Sequence, residues 1–491
     1  QMIMSTLPTS EKFYRLKKRE SYEVENEFVI DLTAVRQGKN KKKLSNEYEI
    51  ELEYTPKQPK TNFDGSIFIK ILNELLTSQR DSVYLKPMSV LKDVHESYLN
   101  VTQFFYKPVQ RFPDFGPKVV SLSMERLQTL QYEIEEGVKY TITEKTDGLR
   151  MLGFIFKGEL FLRGSKSDAF HPTNVRVDTK YDGSIFDGEY VNEMKDGSNV
   201  NHFLIFDCYF YKTDDIRMNA LIDRLDKVQN IFSTSKKGDD DIFVVKKKDL
   251  RILNDLYKDS EDKLVEAENG LYDIDGLIYT PNEPVGGSTL WSGAKNGNFP
   301  KIVKTDKTFD RLLKWKDTDF NSIDFKITFI EDRDDFLKVG TDFVFTQMKE
   351  CKLSVGYNSK TTPINYYEFL KRTRLMKRSD PSDPFIIDIF KSTNPLDRNS
   401  HLVCIPIIDD MVRCKKNNDW SGPVIRDGDI VEFKYEKDAP GLLKWVPIRI
   451  RKDKEIPNAF DTAIDIWKSY FNPVTRKTIT MGEGIKVESD V

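Results

Sequence analysis

The stretch Glu144-Lys-Thr-Asp-Gly-Leu-Arg150 decides how this sequence is interpreted, because it places a lysine between a strand pattern and a tight turn. Tyr140-Thr-Ile-Thr143, directly before it, is typical of a β-strand, and Asp-Gly is a common turn dipeptide. A second string of the same form, Lys180-Tyr-Asp-Gly183, follows later in the chain. Each string alone is consistent with an exposed β-turn. Because the sequence contains two such strings, at least one of them is incidental to any catalytic function.

Short strand patterns and fewer helices surround this lysine. The mixture is typical of an α+β fold with antiparallel sheets, and it differs from a repeated strand–helix–strand unit. Further along, Val424–Tyr435 and Leu442–Arg451 are the clearest strands of a region that consists mostly of strands and loops. That region is predicted to form a small β-barrel.

The composition of the 491 residues limits the classes of protein to which the chain can belong. The 76 basic and 79 acidic residues leave a net charge of −3, which excludes a uniformly basic nucleic-acid coat but not local basic grooves. The four cysteines lie far apart and form no CxxC pair, so neither a zinc site nor a disulfide framework is predicted. No apolar run is long enough for a membrane helix, so we expect a soluble protein without a membrane partner.

A series of segments follows the first lysine string in a fixed order. The segments are Phe186-Asp-Gly-Glu-Tyr-Val191, Phe203-Leu-Ile-Phe-Asp207, Asp275-Gly-Leu-Ile-Tyr279, Leu312-Leu-Lys-Trp-Lys316 and Trp445-Val-Pro-Ile-Arg-Ile-Arg-Lys-Asp-Lys454. This series resembles the covalent nucleotidyltransferase superfamily of mRNA capping guanylyltransferases and polynucleotide ligases. The resemblance implies that Lys145 is the catalytic nucleophile, because Lys145 has the family spacing whereas Lys180 lies too close to the segment that begins at Phe186.

Two segments are similar to the capping branch of this superfamily. They are the closing Arg451-Lys-Asp-Lys454 and the earlier Gly116-Pro-Lys-Val-Val-Ser-Leu122. The resemblance therefore implies GTP as the nucleotide and an RNA 5′ end, carrying a di- or triphosphate, as the other substrate. An ATP-dependent polynucleotide ligase with the same lysine chemistry is the alternative, and a non-catalytic RNA-binding scaffold is a further one.

The resemblance also implies a set of GTP-binding residues. Lys314 and Lys316 alternate on a strand and would neutralise the phosphoryl transition state. Arg163 would lie near the ribose, Lys248 would contact guanine, and the segment that begins at Arg451 would close over the β- and γ-phosphates. The full set is Arg150, Arg163, Glu189, Lys248, Asp275, Lys314, Lys316, Arg451, Asp453 and Lys454.

Two of these residues are carboxylates that suit a divalent cation. Glu189 and Asp275 each stand beside a glycine at the end of a strand pattern, where they can bind a hard cation or a ribose hydroxyl. A triphosphate needs charge neutralisation before in-line attack. The implied cofactor is therefore Mg²⁺ or Mn²⁺.

Near the start of the chain, Tyr48-Glu-Ile-Glu-Leu-Glu-Tyr54 alternates carboxylates with apolar side chains. On a strand the carboxylates share one face, where like charges repel unless a cation lies among them. With the upstream blocks Arg15-Leu-Lys-Lys-Arg19 and Asp31-Leu-Thr33, this segment resembles the later motifs of the metal-dependent RNA triphosphatase tunnel family. The implied metal ligands are Glu49, Glu51 and Glu53, and the implied triphosphate-binding residues are Arg15, Lys17 and Arg19.

The tunnel family also has an earlier glutamate strand, which this sequence lacks before Arg15. Because the chain begins at Gln1, we expect that the N-terminal half of the tunnel is missing or has degenerated. Triphosphate hydrolysis by this chain is then expected to be weak or absent.

The expected architecture has four parts. Residues 1–112 would form the C-terminal part of a β-rich triphosphatase tunnel, 113–330 the nucleotidyltransferase domain, 331–455 an OB-fold lid, and 456–491 a helix and a linker. A fused triphosphatase and guanylyltransferase resembles the capping enzymes of large cytoplasmic DNA viruses, which implies location in a viral factory or virion. In those enzymes a cap methyltransferase often follows, so the polar tail is interpreted as its linker.

Overall fold

A computed structural model describes the chain in fourteen stretches that form two compact units, Gln1–Met88 and Ser89–Val491. The described residues are 13–25, 27–40, 43–56, 65–80, 84–102, 115–164, 169–232, 243–291, 307–317, 321–339, 342–358, 385–416, 419–452 and 454–485. No helix among them is long and apolar enough to cross a membrane.

The described residues of the first unit form a three-stranded antiparallel sheet and one helix. The strands are β1 (Tyr14–Val24), β2 (Phe28–Asn40) and β3 (Lys43–Tyr54), in that order across the sheet. Helix α1 (Gly65–Arg80) follows them and brings Phe68 to 6.2 Å, between ring centroids, from the buried Phe28. One face of the sheet therefore packs against a helix, and the other carries the charged residues.

The second unit begins with a helix that had been assigned to the preceding domain. Helix α2 (Met88–Thr102) buries Val94 and Tyr98 completely in a core with Phe115 and Phe154. The expected domain boundary at residue 112 is therefore wrong. The amphipathic face of this helix packs against the sheet that follows it, so it belongs to the second unit.

The part of the second unit that precedes residue 321 has two sheets. A seven-stranded sheet has the order β11-β10-β9-β6-β7-β8, with β12 beside β10, and a five-stranded sheet has the order β13-β5-β14-β15-β4. The strands are β4 (Lys118–Ser121), β5 (Tyr140–Thr146), β6 (Leu149–Phe156), β7 (Glu159–Gly164), β8 (Phe170–Arg176), β9 (Ile185–Glu193), β10 (Asn199–Tyr211), β11 (Asp214–Asp215), β12 (Phe243–Lys247), β13 (Arg251–Ile252), β14 (Ile274–Pro281) and β15 (Thr308–Trp315).

Besides α2, three described helices from this part of the chain pack on these sheets. Helices α3 (Met124–Glu135) and α5 (Leu256–Glu268) pack on the five-stranded sheet, and α4 (Leu221–Phe232) packs on the seven-stranded sheet. The inner side of β5 is apolar towards its helices because Tyr140 and Ile142 alternate into that core. Thr141, Thr143 and Lys145 alternate with them and face the opposite side.

A third sheet forms the C-terminal domain. Its order is β20-β19-β17-β16-β21-β22, with β18 beside β17. The strands are β16 (Ile323–Val339), β17 (Asp342–Asn358), β18 (Phe385–Ile389), β19 (Leu402–Ile408), β20 (Met411–Val412), β21 (Ile430–Tyr435) and β22 (Trp445–Ile450). The expected boundary at residue 330 falls inside β16, so the domain begins at Ile323, where the core of this sheet begins.

The helix expected after residue 456 is present, and residues 476–481, expected to be part of a linker, form a second helix. Helix α6 (Phe460–Phe471) buries Ala463 and Trp467 in the core of the third sheet. Helix α7 (Arg476–Met481) returns to the five-stranded sheet and buries Ile479 there. The sequence looked like a linker because it is polar, but the hydroxyls of Thr475 and Thr478 form a capping box at the start of α7.

We predict that Ile479→Ala lowers the free energy of unfolding by about 2–5 kcal/mol, because it empties a completely buried site. Urea unfolding followed by tryptophan fluorescence measures the change. Met481→Ala is the matched control, since Met481 lies on the same helix and is 73% exposed. Equal stability of the two variants would show that α7 does not contribute to the core.

Candidate active site

A cavity of about 350 Å³ lies between the five-stranded and seven-stranded sheets. Its walls come from β5, β6, β9, β10 and β14 and from the segment after β12. Four residues predicted from the sequence line it, namely Lys145, Arg150, Glu189 and Lys248. By contrast, Lys180 lies in a short 3₁₀ helix, where its exposed side chain pairs with Asp178 at 3.0 Å.

Asp275 connects Lys145, which lines the cavity, to Lys316, and neither Asp275 nor Lys316 is among the lining residues. Nζ of Lys145 lies 2.7 Å from Oδ1 of Asp275, and Nζ of Lys316 contacts Oδ2. These residues come from the adjacent strands β5 and β14 and from the end of β15. Gly276, with φ at +147°, makes this approach possible, because a Cβ there would clash with the carbonyl oxygen of Trp315.

Lys314 is held in an environment that disfavours its charge. Burial, together with the positive charges of Lys316 and Lys145, lowers the pKa of Lys314 to about 8. The charge of Lys454, from the C-terminal domain, acts in the same direction. Cations from both domains therefore act on Lys314, as expected for a site that binds a polyanion.

Glu189 contributes a carboxyl group that is partly desolvated. Glu189 on β9 is the register partner of Arg150 on β6. Burial raises the pKa of Glu189 to about 7 in spite of the nearby charges of Lys248 and Lys145. Burial destabilises the charged form of this carboxyl group, and a bound cation would stabilise it.

Arg150 is fixed by a network on the same wall of the cavity. Its Nε and Nη2 donate to the two carboxylate oxygens of Asp187 at 3.0 and 2.5 Å, and Tyr209 also donates to Asp187. A bidentate pair of this kind sets the direction of the guanidinium group. Arg150 therefore lines the cavity in one defined orientation.

Lys248 is buried, although a run of three lysines usually lies on a solvated edge. It is 7% exposed, and its Nζ donates to the main-chain oxygen of Glu144 at 2.8 Å. Burial lowers the pKa of Lys248. Its ammonium group is a candidate donor to a ligand in the cavity.

The structure does not bring Arg163 to the cavity. Arg163 is 1% exposed, and its guanidinium carbon lies 5.3 Å from the centre of the Tyr98 ring on α2. The expectation that Arg163 contacts a ribose is wrong for this structure, because α2 covers it. The sequence pattern did not indicate that a helix before the domain would pack there.

The cationic residues of the C-terminal domain bind a carboxylate that sequence reasoning missed. Nη1 of Arg451 lies 3.1 Å from both carboxylate oxygens of the buried Asp324, and Lys454 contacts the same group. Asp324 lies on β16, far from both partners in sequence, and no local signal identifies it. Asp453 lies outside the described residues.

Two further cavity residues were missed within the quoted segment Phe203–Asp207. The ring of Phe206 lines the cavity 5.7 Å from the guanidinium carbon of Arg150. Asp207 also lines it and forms a buried bidentate pair with Arg224 on α4, at 2.7 and 2.8 Å. An aspartate at the end of an apolar strand pattern was the available signal for a buried ion pair.

The N-terminal sheet contains a separate charged cluster. The carboxylate oxygens of Asp31, Glu51 and Glu53 lie within 4.8 Å of one another and could hold a metal ion. Glu49 is not part of this group, because Arg15 and Lys17 bind it, with Lys17 at 3.1 Å. The expected triad of metal ligands is corrected accordingly, with Asp31 in place of Glu49.

The basic residues of β1 face this cluster across the sheet. Arg19 donates to Asp31 at 2.6 Å and to Glu51 at 2.8 Å. Hydrogen bonding to Lys17 and the charge of Arg15 lower the pKa of Glu49, whereas desolvation opposes them. The three basic residues predicted for triphosphate binding therefore share one face with the carboxylates.

We predict that Glu189→Gln flattens the dependence of thermal stability on pH when no divalent cation is present. The folded pKa of Glu189 is about 7 and the ordinary value is 4.5, so its contribution is complete below about pH 4.5 and is lost as the pH rises through about 7. Melting temperatures at about pH 5 and pH 8 measure the effect. Glu193→Gln, exposed on the same strand, is the control, and parallel profiles for Glu189→Gln and the parent would contradict the prediction.

Two family models match the chain. The mRNA capping enzyme catalytic domain matches residues 48–289, and the mRNA capping enzyme C-terminal domain matches residues 320–480. The second match begins close to Ile323, the first residue of β16. Its position therefore agrees with the domain boundary that the third sheet defines.

Curated relatives belong to the same family. A probable mRNA-capping enzyme of Acanthamoeba polyphaga mimivirus is 24% identical over 95% of this chain and 41% of its own length. The mRNA-capping enzyme of Caenorhabditis elegans is 24% identical over 74% of this chain and 48% of its own length. The alpha subunit of the mRNA-capping enzyme of Schizosaccharomyces pombe is 23% identical over 49% of this chain and 58% of its own length. The chain thus spans about half the length of the curated relatives it matches.

A solved structure of mycobacterial DNA ligase D, complexed with ATP and MES, is 13% identical over 70% of this chain and 97% of that chain. Its TM-score is 0.31, which is too low to assign fold or function. The two family models, by contrast, together cover most of the sequence from residue 48 to residue 480. The α+β chain with its capping catalytic and C-terminal domains belongs to the mRNA capping enzyme family.

Proposed function

We propose that the chain is an mRNA capping guanylyltransferase. The amine of Lys145 attacks the α-phosphorus of GTP, a nitrogen–phosphorus bond forms, and pyrophosphate leaves. A terminal oxygen of a 5′-diphosphate RNA then attacks the same phosphorus, the nitrogen–phosphorus bond breaks, and GMP is transferred. The observation that carries this proposal is the position of Lys145 in a cavity beside Asp275, with Lys316 on the other oxygen of that carboxylate.

Asp275 and the neighbouring lysines divide the work of the first step. Lys145 must lose a proton to become a nucleophile, and Asp275, at 2.7 Å, is the nearest acceptor and also orients the amine. Lys314 and Lys316 offset the charge that develops on the oxygens of the transferred phosphoryl group. Both are already in place before the nucleotide binds, so little reorganisation is needed.

Mg²⁺ or Mn²⁺ is the cofactor that fits this site. Such an ion would neutralise part of the triphosphate charge. Glu189, whose raised pKa reflects a carboxylate without enough compensating charge, and Asp275 are the residues that would hold it. Both groups offer oxygen ligands, which these hard cations prefer.

The base and the leaving group would be bound by different residues. Lys248 would donate to the 6-oxo group of guanine, which favours GTP over ATP because adenine carries an amino group there. Arg451 and Lys454, with Asp453, would close over the β- and γ-phosphates and orient pyrophosphate. The cations of Arg451 and Lys454 would then exchange Asp324 for phosphate oxygens.

We predict that Lys145→Ala removes covalent labelling by radioactive GTP, because the phosphoramidate can no longer form. Lys180→Ala is the matched control and should retain most of the label, since Lys180 is exposed in a turn outside the cavity. Labelling with GTP and not ATP is expected for a guanylyltransferase. Labelling by ATP alone would favour the polynucleotide ligase, and labelling that survives Lys145→Ala would exclude the assigned nucleophile.

We further propose that the N-terminal sheet belongs to an RNA 5′-triphosphatase that prepares the diphosphate end. The clustered carboxylates of Asp31, Glu51 and Glu53 and the facing Arg19 support this proposal. A metal held by these oxygens would neutralise the triphosphate, and the basic residues would bind its γ-phosphate. The capped RNA end is then the substrate expected for a cap methyltransferase, fused to this chain or associated with it.

We predict that Glu51→Ala abolishes any manganese-dependent release of phosphate from triphosphate-ended RNA, because it removes a ligand from the middle of the cluster. Glu47→Ala, which removes an exposed glutamate from the same strand, should leave that release unchanged. Labelling at Lys145 should survive both substitutions, since it uses different residues. Phosphate release that is equal in the two variants would separate this activity from the cluster.

A further inference from the structure

Lys263 is a buried lysine near the candidate active site to which no role has been assigned. It lies in the middle of α5, which packs on β5, and it is 4% exposed. Its Nζ donates to the main-chain oxygen of Asp249 at 3.0 Å and lies 3.1 Å from a carboxylate oxygen of the same residue. Burial of a lysine is costly unless the charge is paired, so these contacts indicate a specific arrangement.

Lys263 shares a second carboxylate with Lys248. Nζ of Lys263 lies 3.4 Å from Oε2 of Glu144, and Nζ of Lys248 lies 3.4 Å from Oε1 of the same group. Glu144 directly precedes Lys145 on β5. One carboxylate is therefore divided between two buried cations, of which only Lys248 lines the cavity among the described residues.

We propose that Lys263 is a positioning residue that keeps the ammonium group of Lys248 available to the base of the nucleotide. This inference rests on the proposed guanylyltransferase function and identifies what sets its choice of purine. Lys263 occupies one oxygen of Glu144, so that carboxylate does not bind Lys248 with both oxygens. Lys263 also anchors Asp249, the residue next to Lys248, to α5.

The physical consequence of losing Lys263 follows from charge. Without the ammonium group of Lys263, Lys248 is the one lysine left in contact with the carboxylate of Glu144 among the described residues. A charge-assisted contact in a partly buried site is strong enough to draw that ammonium group towards the carboxylate and away from a ligand. Recognition of a 6-oxo purine should weaken, whereas the attack by Lys145 should change little.

The test compares Lys263→Met with the parent full-length chain. Initial rates of covalent labelling, measured against GTP concentration with unlabelled ATP as competitor, give the KM for GTP, the maximal rate and the inhibition constant of ATP. We expect the KM for GTP to rise roughly tenfold, the size of losing one good charged hydrogen bond. The maximal rate should change less than about threefold, and the inhibition constant of ATP should stay the same.

Matched variants separate positioning from a general loss of structure. Lys258→Met removes an exposed lysine from the same helix and should behave as the parent. Lys263→Arg keeps the charge and should recover most of the GTP affinity. Lys263→Gln is a second neutral variant, and it keeps a hydrogen-bond donor for the main-chain oxygen of Asp249. We expect it to give the same result as Lys263→Met. In a Glu144→Gln background, Lys263→Met should raise the KM for GTP by a smaller factor, because the competing charge of Glu144 is gone.

Three outcomes would overturn the proposal. If the affinities for GTP and ATP fall together in both neutral variants, the role of Lys263 is structural only. If the affinity for GTP is unchanged, Lys263 has no positioning role. A lost maximal rate with an unchanged KM would place the effect on Lys145 instead. If GTP labels the parent and any of these results is found, only the positioning role is contradicted. If GTP does not label the parent, the proposed function is contradicted as well.

Discussion

The contact of one carboxylate, Asp275, with two lysine side chains is the interaction on which the candidate active site depends. Lys145 and Lys316 lie on opposite oxygens of this group, and Lys314 stands on the strand beside them. Three amines this close together would repel one another in a partly buried site. Asp275 compensates part of that repulsion, and burial together with the remaining repulsion lowers the pKa of Lys314.

The sheet holds these cations in place through contacts on its other side. Trp315 lies between Lys314 and Lys316 in sequence and points away from them into the core, where its Nε1 donates to the carbonyl oxygen of Val474 at 2.7 Å. Val474 leads into α7, which comes after the third sheet and its helix α6. The end of the chain therefore supports the strand that carries the phosphate-binding lysines.

The order of motifs in the sequence predicted much of this arrangement. It identified the strand that carries Lys145, and the expected positions of Glu189 and Lys248 agree with the walls of the cavity. These residues share a local signal, because each stands in a strand pattern next to a glycine or a charged run that marks the strand end. The placement of Lys145 over Lys180 also follows from spacing, and the structure leaves Lys180 outside the cavity.

The sequence could not predict contacts between residues that are far apart and carry no local signal. Asp324 pairs with Arg451 across the third sheet, and Asp31 completes the carboxylate cluster from a neighbouring strand. Arg163 was misplaced because a helix from the preceding segment covers it. The polar tail was misinterpreted because hydroxyl groups that cap a helix look the same, in sequence, as hydroxyl groups in a linker.

Mapping the covalent adduct tests the central claim most directly. The chain is incubated with GTP and a divalent cation, digested under alkaline conditions that preserve a nitrogen–phosphorus bond, and its peptides are analysed by mass spectrometry. The account predicts a single GMP group on the peptide that contains Lys145, at the nitrogen of that side chain. An adduct on Lys314, Lys316 or Lys180, or a guanylylated peptide without Lys145, would contradict it.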